Sequence, residues 1–122
     1  MRDTSHRTIL LKNTYGSNAV ARVARGYSMG AIQDGWLIFY DELNRAPRAE
    51  VIGKLCVAKL EDGRTLLRFI HKGRRADCYD LLAVSGPAIL DVRLEWVEPV
   101  TMIVPYEPDS SDFENPGEPL LE

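Results

Sequence analysis

From residue 19 to residue 105 the chain breaks into short apolar runs separated by polar turns. Most of these runs have the two-residue period of strands, or the β-branched and aromatic content that favours them. Residues 19–25, A-V-A-R-V-A-R, alternate loosely and lead into the turn G-Y-S-M. Residues 36–41, W-L-I-F-Y-D, follow the turn pair Asp34-Gly35. Residues 53–60 and 65–70 flank E-D-G-R, where Asp62-Gly63 can take positive φ at little cost, so a β-hairpin is expected. Residues 78–84 read as a further strand. In residues 89–97, Ile89, Val92, Leu94 and Trp96 are set against Asp91, Arg93 and Glu95. Pro99 is expected to end that run, with P-V-T-M-I-V as a last short strand.

Between the runs lie a polar loop at 41–50 and a charged hairpin loop at 71–77. No segment carries a long helical period, and one short turn of helix near Ser28–Ile32 is the most the pattern allows. The reading is a mostly β single domain of six to eight strands. Its boundaries are an N-terminal segment 1–19, a β domain 20–106 and an acidic tail 107–122.

Composition changes this picture in two places. The 122 residues, 45% hydrophobic and 27% charged, suffice for one core and not two. The net charge of -3 is unevenly spread: residues 107–122 hold six acidic residues and no basic one, which leaves residues 1–106 at +3. The tail, with three prolines, is expected to be disordered. A body charge of +3 is too weak to argue for nucleic acid on its own.

No apolar run approaches the roughly 20 residues that span a bilayer, and the first residues make too short an apolar stretch for a signal peptide. No membrane partner and a cytoplasmic location are therefore expected. Cys56 and Cys78 have neither metal-ligand spacing nor a C-x-x-C pattern, and read as reduced, half-buried strand residues. No cofactor or metal is expected.

The order of the motifs carries more than the composition. G-Y-S-M at 26–29 is followed by Q-D-G-W-L-I-F-Y-D at 33–41 and V-I-G-K-L-C-V-A-K-L-E-D-G-R-T-L-L-R at 51–68. Y-D-L-L-A-V-S-G-P at 79–87 and D-V-R-L-E-W-V-E-P-V at 91–100 complete the series. The series resembles the C-terminal domain of the LexA and phage-repressor family of self-cleaving serine peptidases, over roughly residues 20–104. That resemblance implies a LexA/signal-peptidase-like fold of bent β-sheets and a serine–lysine dyad. In such a dyad a desolvated, neutral lysine takes the serine proton, and backbone N–H groups stabilise the oxyanion.

By the resemblance Ser28 stands at the nucleophile, and the lysine position, counted from Asp62-Gly63, is Arg68. A guanidinium with a pKa above ~12 cannot act as a general base. Loss of a base costs on the order of a hundredfold to ten-thousandfold in rate. Other departures agree: Tyr27 replaces the family's aspartate, Ala31 its proline, and Trp36 the second aspartate of D-G-D. Residues 1–25 hold no Ala-Gly or Cys-Gly bond and are too few for a helix-turn-helix domain.

The expectation is thus a catalytically inactive peptidase-like domain, working as an oligomerisation and regulatory module. Its expected partner is a second copy or a related regulator protein, with DNA engaged only indirectly. The alternative is an active serine peptidase using Ser28 with a displaced lysine base. Lys59, expected to point the same way as residue 68, and Lys72 are the nearest amines. His71 is expected to face the opposite side from Arg68. His6 lies in the N-terminal segment.

Simpler roles stand beside these. Ser28 is equally a turn serine, Arg68 an exposed strand residue and Met29 a core residue. Trp36 and Trp96 are core or interface aromatics. Lys72, Arg74 and Arg75 form a solvated loop tip, with phosphate contact as the alternative. Asp91 and Glu95 are solvated or paired with basic neighbours.

Overall fold

The computed structural model describes residues 18–106. Segment 1–19 (save its last two residues), His6 and the tail 107–122 lie outside the described residues. Seven strands form one antiparallel sheet: β1 (Ala19–Val23), β2 (Leu37–Asp41), β3 (Leu55–Leu60), β4 (Thr65–Lys72), β5 (Tyr79–Leu82), β6 (Ile89–Val92) and β7 (Leu94–Val104). The order across the sheet is β1-β2-β7-β3-β4-β5-β6. The chain is therefore mostly β.

The Asp62-Gly63 hairpin forms as its turn chemistry predicts. Gly63 takes φ 97°, and the Asp62 carboxylate accepts the Arg64 N–H at 2.9 Å, an Asx-type closure. Leu60 N–H donates to the Arg64 carbonyl at 2.8 Å, setting Lys59 opposite Thr65 and Cys56 opposite Arg68. This register decides which side chains of β3 and β4 share a face.

Three expectations need correction. The run 89–97 is not one strand ended by Pro99. It breaks at Arg93, which separates β6 from β7, and Asp91 inside β6 takes φ 58°. Pro99 instead lies inside β7, where the pairing with β3 ends at Cys56↔Pro99 and pairing with β2 begins at Val100↔Tyr40. A residue without an N–H is tolerated at that handover because the ladder is changing partner. The charged loop is shorter than 71–77, because His71 and Lys72 belong to β4, while residues 28–32 hold no more than a turn closed by Ile32 N–H on the Met29 carbonyl at 3.3 Å, within what the pattern allowed. A single 3₁₀ turn instead occupies Ala49–Val51, in the stretch read as loop.

Two clusters form the core. One holds Val51, Cys56, Ala58, Leu60, Leu66, Ile70, Leu81, Leu94 and Val97. The other holds Ala24, Met29, Ile38, Tyr40, Val57, Leu67 and Trp96, with Phe69 and Ala83 packed against it. Alternation along β4 sends Leu66 and Ile70 to the first and Leu67 and Phe69 to the second. Both faces of β3 and β4 are thus covered, which is why these strands read as nearly continuous apolar runs. Tyr40 and Trp96 stack at 5.9 Å between centroids, and Arg22 Nε donates to the Tyr40 hydroxyl at 2.9 Å.

The crossover from β2 to β3 passes over β7 and is pinned there by a buried carboxylate. Glu98 is fully buried. It accepts the Arg45 backbone N–H at 2.7 Å and Arg45 Nη2 at 2.7 Å. Arg48 Nη2 lies 3.4 Å from it, and Arg48 Nη1 donates to the Val97 carbonyl at 3.0 Å. A buried carboxylate with several charge-assisted donors is satisfied; without them it would be costly.

Candidate functional site

Ser28 sits in an excursion between β1 and β2 that is closed at its neck. Ala24 N–H donates to the Trp36 carbonyl at 2.8 Å, and Gly35 N–H to the Ala24 carbonyl at 2.7 Å. Gly26 N–H donates to Asp34 Oδ1 at 2.8 Å, and Arg25 lies 3.7 Å from the same carboxylate. Gly26 and Gly35 both take φ 95°, which suits glycine at these two corners. Inside the excursion Met29 anchors the turn in the second core cluster, as its apolar character predicted.

The neighbouring turn, residues 83–86, lies against this one. Ser85 N–H donates to the Ser28 carbonyl at 2.8 Å. A Cβ on Gly30 would stand 2.9 Å from Val84 Cγ1, so Val84 packs on the bare glycine backbone. Ser28 Oγ has no solvent exposure and no hydrogen-bond partner among the described residues. Tyr27, beside it, is 78% exposed.

Arg68 is buried, at 4% exposure, not an exposed strand residue. Its Nη1 donates to the Leu67 carbonyl at 2.8 Å. Alternation groups it with Leu66, Ile70 and the opposing Cys56, whereas Met29 packs with Leu67 on the other side. Residue 68 therefore does not share the face on which Met29 is packed, and no hydrogen bond joins Arg68 to Ser28 Oγ.

The alternative bases are placed as clearly. Lys59 opposes Thr65 and not Arg68, three residues along β3 from Cys56, so it faces the side opposite to Arg68. The expectation that the two point the same way is corrected by the register. Lys59 Nζ lies 4.0 Å from Glu95 Oε2. Lys72 is exposed at the end of β4, opposite Tyr79. His71 opposes Asp80 and has the parity of Leu67 and Phe69, so it faces away from the Arg68 side, as expected.

The cysteines offer no nucleophile. Both are free and buried. Burial pushes the Cys56 thiol up to about 12, so its thiolate is scarce at neutral pH.

The charged loop between β4 and β5, residues 73–78, is folded against β6 and is not simply a solvated tip. Arg75 donates to Asp91 through its backbone N–H at 2.9 Å, through Nε at 2.6 Å, and through Nη2 to the Asp91 carbonyl at 2.8 Å. The backbone bond from Arg75, with its guanidinium, holds the Asp91 carboxyl below the usual carboxylate range. A surface cleft of about 280 Å³ runs past this pair, lined by Leu60, Glu61, Asp62, Arg75, Asp91, Val92 and Arg93. Within it Arg75 pairs with Asp91 and at its rim Asp62 pairs with Arg64, and none of its lining residues belongs to the Ser28 excursion. Among the described residues no three of His, Cys, Asp and Glu gather to hold a metal ion.

Sequence reasoning missed Glu98, Arg45 and Arg48. The one available signal was a glutamate inside an otherwise apolar run, W-V-E-P-V, which must bring its own counter-charge if buried. Among the described residues no helix is long and apolar enough to cross a membrane. Comparison of the chain with protein-family models, curated proteins and solved structures returned no match.

Proposed function

We propose that this chain is a non-catalytic, peptidase-like β domain that works by protein–protein association, as an oligomerisation module in repressor-like regulation. The observation that carries the reading is the state of Ser28. Its hydroxyl has no hydrogen-bond partner among the described residues, whereas an activated serine needs a base within about 2.6–3.2 Å. Two facts support it. The position where the resemblance calls for a lysine holds a guanidinium, which cannot accept a proton. Lys59, on the face of β3 opposite to Arg68, has its Nζ 4.0 Å from Glu95 Oε2 and makes no hydrogen bond to Ser28 Oγ.

The motif order resembling the LexA and phage-repressor peptidases supplies the regulatory context. Association through this domain is what that resemblance implies, with DNA reached through a partner. The test is in two parts. Prolonged incubation at alkaline pH, where lysine bases are favoured, should leave the chain intact by mass spectrometry. Light scattering across a concentration series should show a reversible dimer. Fragments that vanish in Ser28→Ala would overturn the inactive reading, and a monomer at every concentration would overturn self-association.

A further inference from the structure

We propose that the turn at residues 83–86 is a latch that seals the Ser28 hydroxyl and opens as a unit. Three contacts hold it down: the Ser85 N–H bond to the Ser28 carbonyl at 2.8 Å, Val84 seated on Gly30, and Ala83 packed against the second core cluster. Residues 84–88 are otherwise exposed, and Gly86, with φ 96°, followed by Pro87 supplies the pivot. Exposed turns with few buried apolar contacts open at lower cost than the sheet beneath them.

The closed state carries its own reason to open. Ser28 Oγ is shut away from water with no partner among the described residues. An unsatisfied buried hydroxyl is a penalty that hydration would relieve. Opening brings that hydroxyl to the surface beside the exposed Tyr27 ring and frees Val84, which is already 61% exposed. Opening therefore adds a hydroxyl to a patch that otherwise presents Tyr27 and Val84. It does not depend on whether Ser28 ever acted as a nucleophile.

Thiol labelling of the full-length Ser28→Cys variant tests it, because Cys56 and Cys78 are both buried and report global unfolding in the same sample. The new thiol should react with a disulfide reagent at least about tenfold more slowly than in denaturant, yet before Cys56 and Cys78. Adding Val84→Gly, which removes the valine contact, should speed that reaction by about tenfold and leave the two native cysteines protected. Should the new thiol react at the denatured rate, or only together with the native cysteines, there is no latch. An unchanged rate in Val84→Gly also overturns the proposal. Hydrogen exchange of the Ser85 amide gives a second readout without the cysteine: it should accelerate in Val84→Gly while amides of β3 and β4 do not.

Discussion

Cys56 and Arg68 stand directly opposite one another in the β3–β4 ladder, and both are buried. This pairing places the cation on the face of β4 away from Met29. It also makes Arg68 part of the interior, where its aliphatic stem contributes packing and its guanidinium must be satisfied. Arg68→Ala should therefore cost about 2–4 kcal/mol in denaturant unfolding, well above an exposed strand substitution at about 0.5 kcal/mol or less. A cost within the exposed range would show that the side chain is not buried as described.

Ser28→Ala should move stability the other way. The hydroxyl lies shut from solvent with no partner among the described residues, and alanine keeps the Cβ. A gain of about 1 kcal/mol is expected, read as a higher midpoint at unchanged slope. A loss of that size would mean that the hydroxyl is bonded in solution.

Glu98 should rank with Arg68 among the most sensitive polar positions in the sheet. It binds the Arg45 backbone and both Arg45 and Arg48 side chains from a site with no exposure. Glu98→Ala should cost about 3 kcal/mol, and protease cleavage should rise within residues 42–48 before it rises elsewhere. Retained protection of that crossover would separate the clamp from the strap it is said to hold.

Gly73→Ala tests a close approach that involves no unusual backbone angle. A Cβ there would stand 2.7 Å from the Cys78 carbonyl oxygen and 2.8 Å from Asp91 Oδ1. About 1–3 kcal/mol of destabilisation is expected. Loss of the Arg75–Asp91 contact should accompany it, seen as chemical-shift changes confined to the 73–78 loop and β6.

Stability should fall at both ends of the pH range. Burial raises Cys56 from 9.0 to about 12 and raises Tyr40 above its ordinary 10.0. The folded state favours the protonated form of both, so their contribution is complete below pH 9 and is lost as pH climbs from there towards 12. Asp91 and Asp62, both held below 3.8 chiefly by backbone N–H bonds, do the reverse. Their contribution is present above pH 3.8 and is lost as pH falls through the lowered folded values. Urea midpoints measured from pH 2 to 12 should trace a plateau between these limbs. Cys56→Ser should alter the alkaline limb and leave the acid one in place.

The strands and the main hairpin were legible because they depend on local chemistry. Period-two runs mark residues that alternate between faces, and Asp62-Gly63 encodes a turn through backbone freedom and an Asx bond. The breaks were less legible. Pro99 looked like a terminator because proline lacks an N–H, yet it falls where β7 changes partners, which only the assembled sheet reveals. The reverse holds at Asp91, a residue with an ordinary local pattern that is held at positive φ while its carboxylate receives Arg75 from a distant loop.

The same division runs through the candidate site. Sequence alone determined that residue 68 is a permanent cation and that Ser28 lies in a glycine-cornered turn, because both follow from residue chemistry. Tertiary structure alone decided which way β4 turns its side chains, that Lys59 falls beside Glu95, and that a second turn hydrogen-bonds to the serine's carbonyl. A one-residue step in register reverses every face of a strand. That step is set by partners far away in the chain, so no local pattern contains it.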